Sequence, residues 1–417
     1  MGNLKNVVGN YVVGETFWDR KTEMEILKGK IHDGNHIQIV AQRRIGKTSL
    51  MRELANEIGK GYICLQVDLQ ACTKPEQAIV EISAATRPHQ KAWEKVKQVF
   101  GNAIGSVAAN VDSMEVEDIK INLAAGITKG DWKSKANSLL SSLEKCDKPV
   151  VIFMDEISIF VNRVLKGGDY KITPERRERA DEFMHWLREA SGKYNGSITF
   201  VIAGSIGIEP VLKQAGLSAT LNTFYPFQLK PWSEEIAEDC LKKLAEGKVD
   251  LKEGAESKMV ELLGCCIPHH VQMFFSHVHD DCLHRKNRSA SADDVSRVYE
   301  ESMLSMRGHA ELTHMEERLK DVLELHHFTL ATELLSEAAV TGILTKDEAE
   351  FLLDDSGIKA GETPDILQKV MGILLYDGYL QEKKGGYVFD SYLLRDWWKK
   401  SKQGLYTPVK ERKAKKK

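Results

Sequence analysis

The sequence predicts an α/β fold, a doubly wound parallel sheet followed by a helical domain and a C-terminal winged helix-turn-helix. Short apolar runs alternate with amphipathic segments through the first half of the chain, which is typical of a parallel sheet with covering helices. After Trp232 the strand-like runs give way to helical patterns. Near the C-terminus, helical patterns precede two short strand-like runs, 378–381 and 386–389, which flank a turn.

Length and composition restrict the class of protein. A chain of 417 residues can form several cores and needs no disulfide or metal to fold. With 42% hydrophobic and 29% charged residues, it is neither collagen-like, disordered nor disulfide-stabilised. Its 7 cysteines form no Cys-x-x-Cys pair, so we expect buried thiols. Because we find neither a membrane-length apolar run nor a signal peptide, we expect a cytoplasmic protein without a membrane partner.

The first predicted strand, residues 36–40, leads through a phosphate-loop sequence into an amphipathic helix. Strand, turn and helix form the setting in which a Gly-Lys-Thr sequence binds phosphate. Gly46 lets backbone N–H groups surround the β-phosphate, Lys47 reaches toward the γ-phosphate, and the Thr48 hydroxyl can ligate Mg²⁺. The full motif begins with a glycine where this chain has Ala41, a change that leaves every donor in place.

An acidic pair follows a later strand. After a second strand at 62–67, residues 149–154 form a continuous apolar run that ends at Asp155 and Glu156. Open α/β sheets bind ligands at the carboxyl ends of their strands. We therefore expect Asp155 to hold Mg²⁺, usually through water, and Glu156 to orient and deprotonate the attacking water.

The remaining strands are predicted at 198–203 and 224–229, with an amphipathic helix at 175–190. Ser205 follows the first of these strands. We assign it to catalysis, where it would touch the γ-phosphate or the attacking water. A helix N-cap is an equally good interpretation of a serine at this position.

Composition and pattern divide the chain into a core at 1–230, a helical lid at 231–310, a winged helix-turn-helix at 311–400 and a flexible basic tail at 401–417. Charge is distributed unevenly over the winged helix-turn-helix and the tail. The nine residues 409–417 include six basic side chains and one acid, Glu411. The predicted recognition helix lies within 346–377, where three lysines accompany eight acids. Since phosphate-facing elements are basic, a protein partner is favoured over DNA.

The motifs resemble those of the archaeal-type STAND P-loop ATPases of the AAA+ superfamily, relatives of the origin-recognition initiators. The resemblance extends over nearly the whole chain and is carried by residues 17–20 with Glu23 and Leu27, 43–50, 153–156, 203–205 and 393–398. It implies an ATPase core, a lid and a winged helix. It also implies nucleotide contacts from Arg43, Arg44, Ile45, Gly46, Lys47, Thr48 and Ser49, an adenine side bordered by Phe17 and Arg20, and a lid contact from Pro268.

The chain departs from this family in two places. The lid sequence Gly-Gly-x-Pro is here Cys-Cys-Ile-Pro at 265–268, which keeps only the proline. No arginine finger is clearly placed, although Arg176, Arg177 and Arg188 are candidates, and a solvated helix face explains them as well. Without a finger we expect slow hydrolysis.

The sequence therefore predicts an ATP-binding, Mg²⁺-dependent, slow ATPase. Slow turnover suits a conformational switch that controls self-association or the binding of a partner protein. One alternative is a DNA-binding initiator or loader that uses the winged helix and the tail. The other is a nucleotide-binding scaffold with little hydrolysis.

Overall fold

The computed structural model describes residues 4–104, 115–305, 310–357, 363–402 and 404–415. The chain divides into two compact units. The sheet unit comprises Arg20–Ala41 and Lys47–Leu229. The helical unit comprises Met1–Asp19, Gln42–Gly46 and Lys230–Lys417. No helix in the described part combines the length and the apolar character that crossing a membrane requires.

A five-stranded sheet forms the centre of the sheet unit. Its strands are β1 (His36–Val40), β2 (Ile63–Asp68), β3 (Val150–Asp155), β4 (Ile198–Ala203) and β5 (Phe224–Gln228). They pair in the order β2-β3-β4-β1-β5, and every pair is parallel. The predicted α/β fold and its five strands are confirmed, each strand boundary lying within one residue of its prediction. All of β4 is buried, as its apolar sequence requires.

Helices cover this sheet. Within the described residues of the unit they are α1 (Lys21–His32), α2 (Lys47–Ile58), α3 (Pro75–Ala84), α4 (Gln90–Ile104), α5 (Val116–Ala125), α6 (Trp132–Leu143), α7 (Ile157–Lys166), α8 (Pro174–Lys193) and α9 (Ile208–Gln214). The predicted apolar stripe of α2 is buried, including Leu50, Leu54 and Ile58. On α8 the inward residue Phe183 meets Phe160 of α7 edge to face, with 4.8 Å between ring centroids.

The helical unit has two groups of elements. The first contains α10 (Glu234–Ala245), α11 (Ala255–Leu263), α12 (Pro268–His284) and α13 (Ala292–Val298), with a short parallel pair β6 (Asp250–Leu251) and β7 (Ser289–Ala290). The second contains α14 (Ala310–Val322), α15 (Leu325–Thr341), α16 (Lys346–Asp355), α17 (Thr363–Tyr376), β8 (Leu380–Lys383), β9 (Gly386–Phe389), α18 (Tyr392–Lys402) and α19 (Val409–Lys415).

The second group has the element order of a winged helix-turn-helix. Strands β8 and β9 form an antiparallel hairpin. Leu344, between α15 and α16, bridges Tyr387 of β9 and so adds one residue of a third strand. Helices α15, α16 and α17 with this small sheet reproduce the predicted arrangement.

The N-terminal residues pack in the helical unit, although the sequence analysis assigned them to the core. Leu4 is buried, and its carbonyl accepts a hydrogen bond from Lys248 Nζ at 3.1 Å. Asn6 Nδ2 donates to the carbonyl of Gln272 at 3.3 Å. Both contacts span more than 200 residues of sequence, which is why no local pattern indicated them.

The C-terminal segment, predicted to be a flexible tail, instead contains α19. Val409 is buried, and its N–H donates to Glu337 Oε2 at 3.0 Å. The same oxygen accepts the Tyr406 hydroxyl at 2.7 Å. Arg412 forms an ion pair with Glu333 at 2.6 Å. The segment is therefore held on α15 by hydrogen bonds to a buried carboxylate and by an ion pair.

A buried histidine opens β1. His36 Nε2 lies 2.7 Å from the carbonyl oxygen of Ser191, and His36 Nδ1 accepts the N–H of Phe200 at 3.0 Å. These partners select the neutral tautomer that carries its proton on Nε2. Burial lowers the pKa of His36 from its ordinary value of 6.5.

This shift makes the stability of the sheet unit depend on pH. The free energy of unfolding contributed by His36 should be fully present above pH 6.5 and lost as the pH falls, because the unfolded chain then binds the extra proton. The loss is at most about 1.4 kcal/mol per pH unit. Urea unfolding at several pH values would measure it, and His36→Gln should flatten the slope. An equal slope in both proteins would contradict the assignment.

Candidate nucleotide-binding site

The candidate site lies where neighbouring parallel strands end. In the sheet order β3 lies beside β4, and β4 beside β1. The carboxyl ends of parallel strands meet at one edge of a sheet, so the segments that follow these three strands emerge together. That edge carries Lys47 and Thr48 at the start of α2, Asp155 as the last residue of β3 with Glu156 after it, and Ser205 after β4.

A hydrogen bond joins the two predicted Mg²⁺ ligands. Thr48 Oγ1 donates to Asp155 Oδ2 at 2.5 Å. Burial raises the pKa of Asp155, and the neighbouring Glu156 acts in the same direction, while Thr48 and Lys47 act against it. Hydroxyl and carboxylate oxygens are the ligands that Mg²⁺ takes in proteins. The donor set therefore fits a magnesium ion.

Glu156 turns the chain from β3 into α7. It is the N-cap of α7 and adopts the left-handed conformation, with φ 57°, which is uncommon for a residue with a side chain. Its N–H donates to Asp155 Oδ1 at 2.9 Å. This local bond helps to hold the conformation that aims the Glu156 side chain along the edge of the sheet.

Ser205 contacts the predicted base. Its N–H and its hydroxyl both donate to Glu156 Oε2, at 2.9 and 2.5 Å. The N-cap of the next helix, α9, is Gly207. The helix-cap interpretation of Ser205 is therefore wrong, and its observed contact is with the carboxylate that would deprotonate water. The position of Ser205 after a strand predicted that it lies at this edge, but no local pattern predicted its bond to Glu156.

The residues of the phosphate-loop sequence are divided between the two units: Gln42–Gly46 belong to the helical unit, and Ala41 and Lys47 to the sheet unit. Lys47 is buried at the start of α2, and its Nζ donates to the carbonyl of Ala41 at 3.1 Å. Before it, Arg44 and Gly46 have positive φ angles of 66° and 98°. A Cβ on Gly46 would meet nothing within 4 Å, so the backbone angle, rather than space, favours glycine there. Ile45 between them is buried.

Arg20, predicted to border the adenine, is buried in the sheet unit. It precedes α1 in the left-handed conformation, with φ 71°. Its Nη1 pairs with Glu23 Oε1 at 2.8 Å. Among the described residues its Nη2 is buried and has no hydrogen-bond partner. A buried donor without an acceptor is costly, which fits a ligand that supplies the acceptor.

The other predicted contacts divide between the units. Ser49 is buried in the first turn of α2, in the sheet unit. Phe17, Arg43 and Pro268 belong to the helical unit. Phe17 follows a 3-10 turn and donates its N–H to the carbonyl of Gly14 at 2.9 Å. Pro268 is buried and begins α12.

Two of the three arginines considered as fingers contact backbone carbonyls. Arg176 Nη1 donates to the carbonyl of Lys166 at 2.8 Å, which caps the C-terminal end of α7. Arg177 Nε donates to the carbonyl of Ala215 at 2.6 Å. Arg188 is exposed on α8. Arg176 and Arg177 therefore have structural contacts inside the sheet unit.

Ser158 is a site residue that sequence reasoning missed. It lies in the first turn of α7 and is fully buried, and within the described residues its Oγ has no hydrogen-bond partner. A Cβ on Gly204 would lie 1.9 Å from Ser158 Oγ and 2.8 Å from its Cβ. Helix α7 thus packs directly on the end of β4. The glycine after a buried strand was the only available signal for this close contact.

Gly204→Ala should therefore displace α7 and separate Glu156 from Ser205. We expect a melting temperature several degrees lower, from a destabilisation of about 2 kcal/mol. Adding Ser158→Gly should recover most of this loss, because it removes both clashing atoms. Ser158→Gly alone is the control and should cost about 1 kcal/mol. Additive losses in the double variant would contradict the contact.

The fold occurs in other proteins whose structures have been solved. It is shared by the Walker-type ATPase PABY2304 of Pyrococcus abyssi, with TM-score 0.60 and 16% identity over 93% of this chain and 97% of that chain. The ORC2 protein of Aeropyrum pernix, solved in ADPNP-ADP complexes, gives TM-score 0.52 and 13% identity over 92% and 94%. At these identities the likeness confirms the predicted fold. No protein-family model matches the sequence, and a search of curated proteins found no match.

Proposed function

We propose that the protein is a Mg²⁺-dependent ATPase whose nucleotide state controls its association with itself or with a partner protein. The observation that carries the proposal is the pair of hydrogen bonds at one edge of the sheet. One joins Thr48 to Asp155, and the other joins Ser205 to Glu156. Together with Lys47 these groups form the set that phosphoryl transfer to water requires.

Each residue has a task in the proposed reaction. Lys47, the loop N–H groups and the positive end of α2 bind the phosphates of the nucleotide. Thr48 and Asp155 would hold Mg²⁺, which neutralises charge on the phosphates when it is bound. Glu156 accepts a proton from the attacking water. Ser205 fixes the Glu156 carboxylate through its two donors, so that one oxygen stays oriented.

ATP is preferred to GTP on two grounds. The chain contains no Asn-Lys-x-Asp sequence, the motif that recognises guanine. The ORC2 protein, which shares the fold, was solved with ADPNP and ADP. Turnover should be slow, because a finger can be worth about 10³-fold or more in rate and none is clearly placed. Arg176 and Arg177 contact backbone carbonyls, and a solvated helix face explains the exposed Arg188.

The helical unit supplies the proposed switch. We assign the lid to residues 231–310 and partner binding to the winged helix at 311–400. Helix α16 exposes Asp347, Glu350 and Asp354, a charge pattern that suits a protein rather than a nucleic acid. Asp355 pairs with Arg412 of α19 at 3.3 Å, so part of the tail's positive charge is already neutralised within the chain.

Two substitutions test the proposed ATPase. Lys47→Ala should abolish ATP binding, because it removes the charge that meets the phosphates. Glu156→Gln should keep binding but lower turnover by about 10²-fold or more, since the amide still accepts from Ser205 but cannot take a proton. Fluorescent-nucleotide binding and phosphate release measure these effects. The matched control, Asp68→Asn at the end of β2, should behave as wild type.

Equal turnover in Glu156→Gln and wild type would show that Glu156 is not the general base. ATP binding without measurable turnover in the wild type would favour the nucleotide-binding scaffold. ATP binding that survives Lys47→Ala would reject the site itself.

The DNA-binding alternative rests on the exposed Lys383 and Lys384 of the hairpin and on the tail. We expect double-stranded DNA to bind with a Kd no tighter than about 10⁻⁶ M near physiological salt, the range of nonspecific binding. Lys410→Glu with Lys415→Glu reverses exposed tail charges without touching Arg412 or Val409. Tight, salt-sensitive binding that this variant abolishes would establish the alternative.

A further inference from the structure

Gln42 is bound by the winged helix. It directly follows Ala41 in the phosphate-loop sequence and belongs to the helical unit. Gln42 Nε2 donates to Asp390 Oδ2 at 2.5 Å. Asp390 lies between β9 and α18, 348 residues along the chain. The sulfur of Cys265, from the lid, lies 3.7 Å from the same carboxylate oxygen.

The contact between Gln42 and the winged helix also depends on a close steric fit. Gly378, between α17 and β8, has φ 75°. A Cβ there would lie 2.2 Å from both Cδ and Nε2 of Gln42. The Gln42 carboxamide therefore lies against the backbone of Gly378. The side chain of any other residue at position 378 would fill this space. The N–H of Asp390 donates to the carbonyl of Tyr379 at 3.2 Å, which joins Gly378 and Asp390 into one corner. We call Gln42, Gly378 and Asp390 the loop latch.

The loop latch fixes one end of a loop that must hold an unusual shape. Arg44 and Gly46 have positive φ angles, which a free peptide rarely adopts together. Fixing Gln42 removes many of the loop conformations that cannot bind phosphate. A loop prepared in this way pays less conformational entropy when a nucleotide binds, so its affinity is higher.

We propose that Asp390 is a positioning residue that acts through Gln42 to prepare the phosphate loop, and that the winged helix thereby regulates nucleotide affinity. The inference rests on the proposed ATP site. Linkage makes the coupling reciprocal: a partner that pulls Asp390 away from Gln42 weakens nucleotide binding, and bound nucleotide opposes that partner. The winged helix would thus transmit nucleotide state through a single side-chain contact.

Equilibrium binding of a fluorescent ATP analogue to the full chain tests the loop latch. Asp390→Ala and Gln42→Ala should each weaken binding about tenfold, the loss expected for a hydrogen bond to a charged group. Gln42→Glu should weaken it further, because two carboxylates then face each other. Gln42→Glu combined with Asp390→Asn reverses donor and acceptor and should restore most of the affinity. Gly378→Ala displaces the carboxamide and should resemble Asp390→Ala.

Melting temperatures without nucleotide identify variants that fail to fold. Wild-type affinity in a folded Asp390→Ala variant would overturn the inference, and so would a double variant as weak as Gln42→Glu. Failure of the proposed function looks different. In that case the wild type itself would bind the analogue no better than Lys47→Ala. The proposed ATP site and the role of the loop latch would then both be rejected.

Discussion

Polar side chains inside a parallel sheet that is buried on both faces need hydrogen-bond partners. This constraint determines where polar groups lie in the sheet unit. Polar groups inside β1 are paired: His36 has two backbone partners, and Gln38 Nε2 donates to Glu209 Oε1 at 2.5 Å. An unpaired polar group there would lose its hydration without compensation. Reactive groups therefore collect where β3 and β4 end, and the strand order decides which of them meet.

The site also depends on unfavourable backbone conformations. Arg44 and Glu156 both adopt the left-handed region, at about 1 to 2 kcal/mol each for a residue with a Cβ. At Glu156 three hydrogen bonds offset this, one to Asp155 and two from Ser205. The same bonds orient the carboxylate. The left-handed backbone conformation of Glu156 and the orientation of its carboxylate thus depend on the same three hydrogen bonds.

Local patterns predicted the sheet, since apolar runs and their polar ends lie within a few residues of each other. Strands β1 and β4 match the predicted bounds, and the acidic pair falls at the end of β3. Contacts between distant residues left no such pattern. The bond from Gln42 to Asp390 spans 348 residues, and the packing of Ser158 against Gly204 depends on the sheet order. The pair β6 and β7 has two residues in each strand, too few for an alternating pattern.

The basic composition of the C-terminal segment predicted a flexible tail, because it gives no sign of the contacts that hold the segment in place. Its anchor is Glu337, which is fully buried, accepts from Tyr406 and Val409, and has no hydrogen-bond partner at Oε1 among the described residues. An exposed pair such as Lys91 and Asp147, with side chains 72% and 48% exposed, contributes little by comparison.

Removing the donors to Glu337 would leave a buried carboxylate without partners, which costs far more than breaking a surface ion pair. The segment is therefore part of the winged-helix module rather than a free polycation. A partner that binds this side of α15 must either displace Tyr406 and Val409 or leave them in place. Displacement would cost the two hydrogen bonds to Glu337, unless water or donors of the partner replace them.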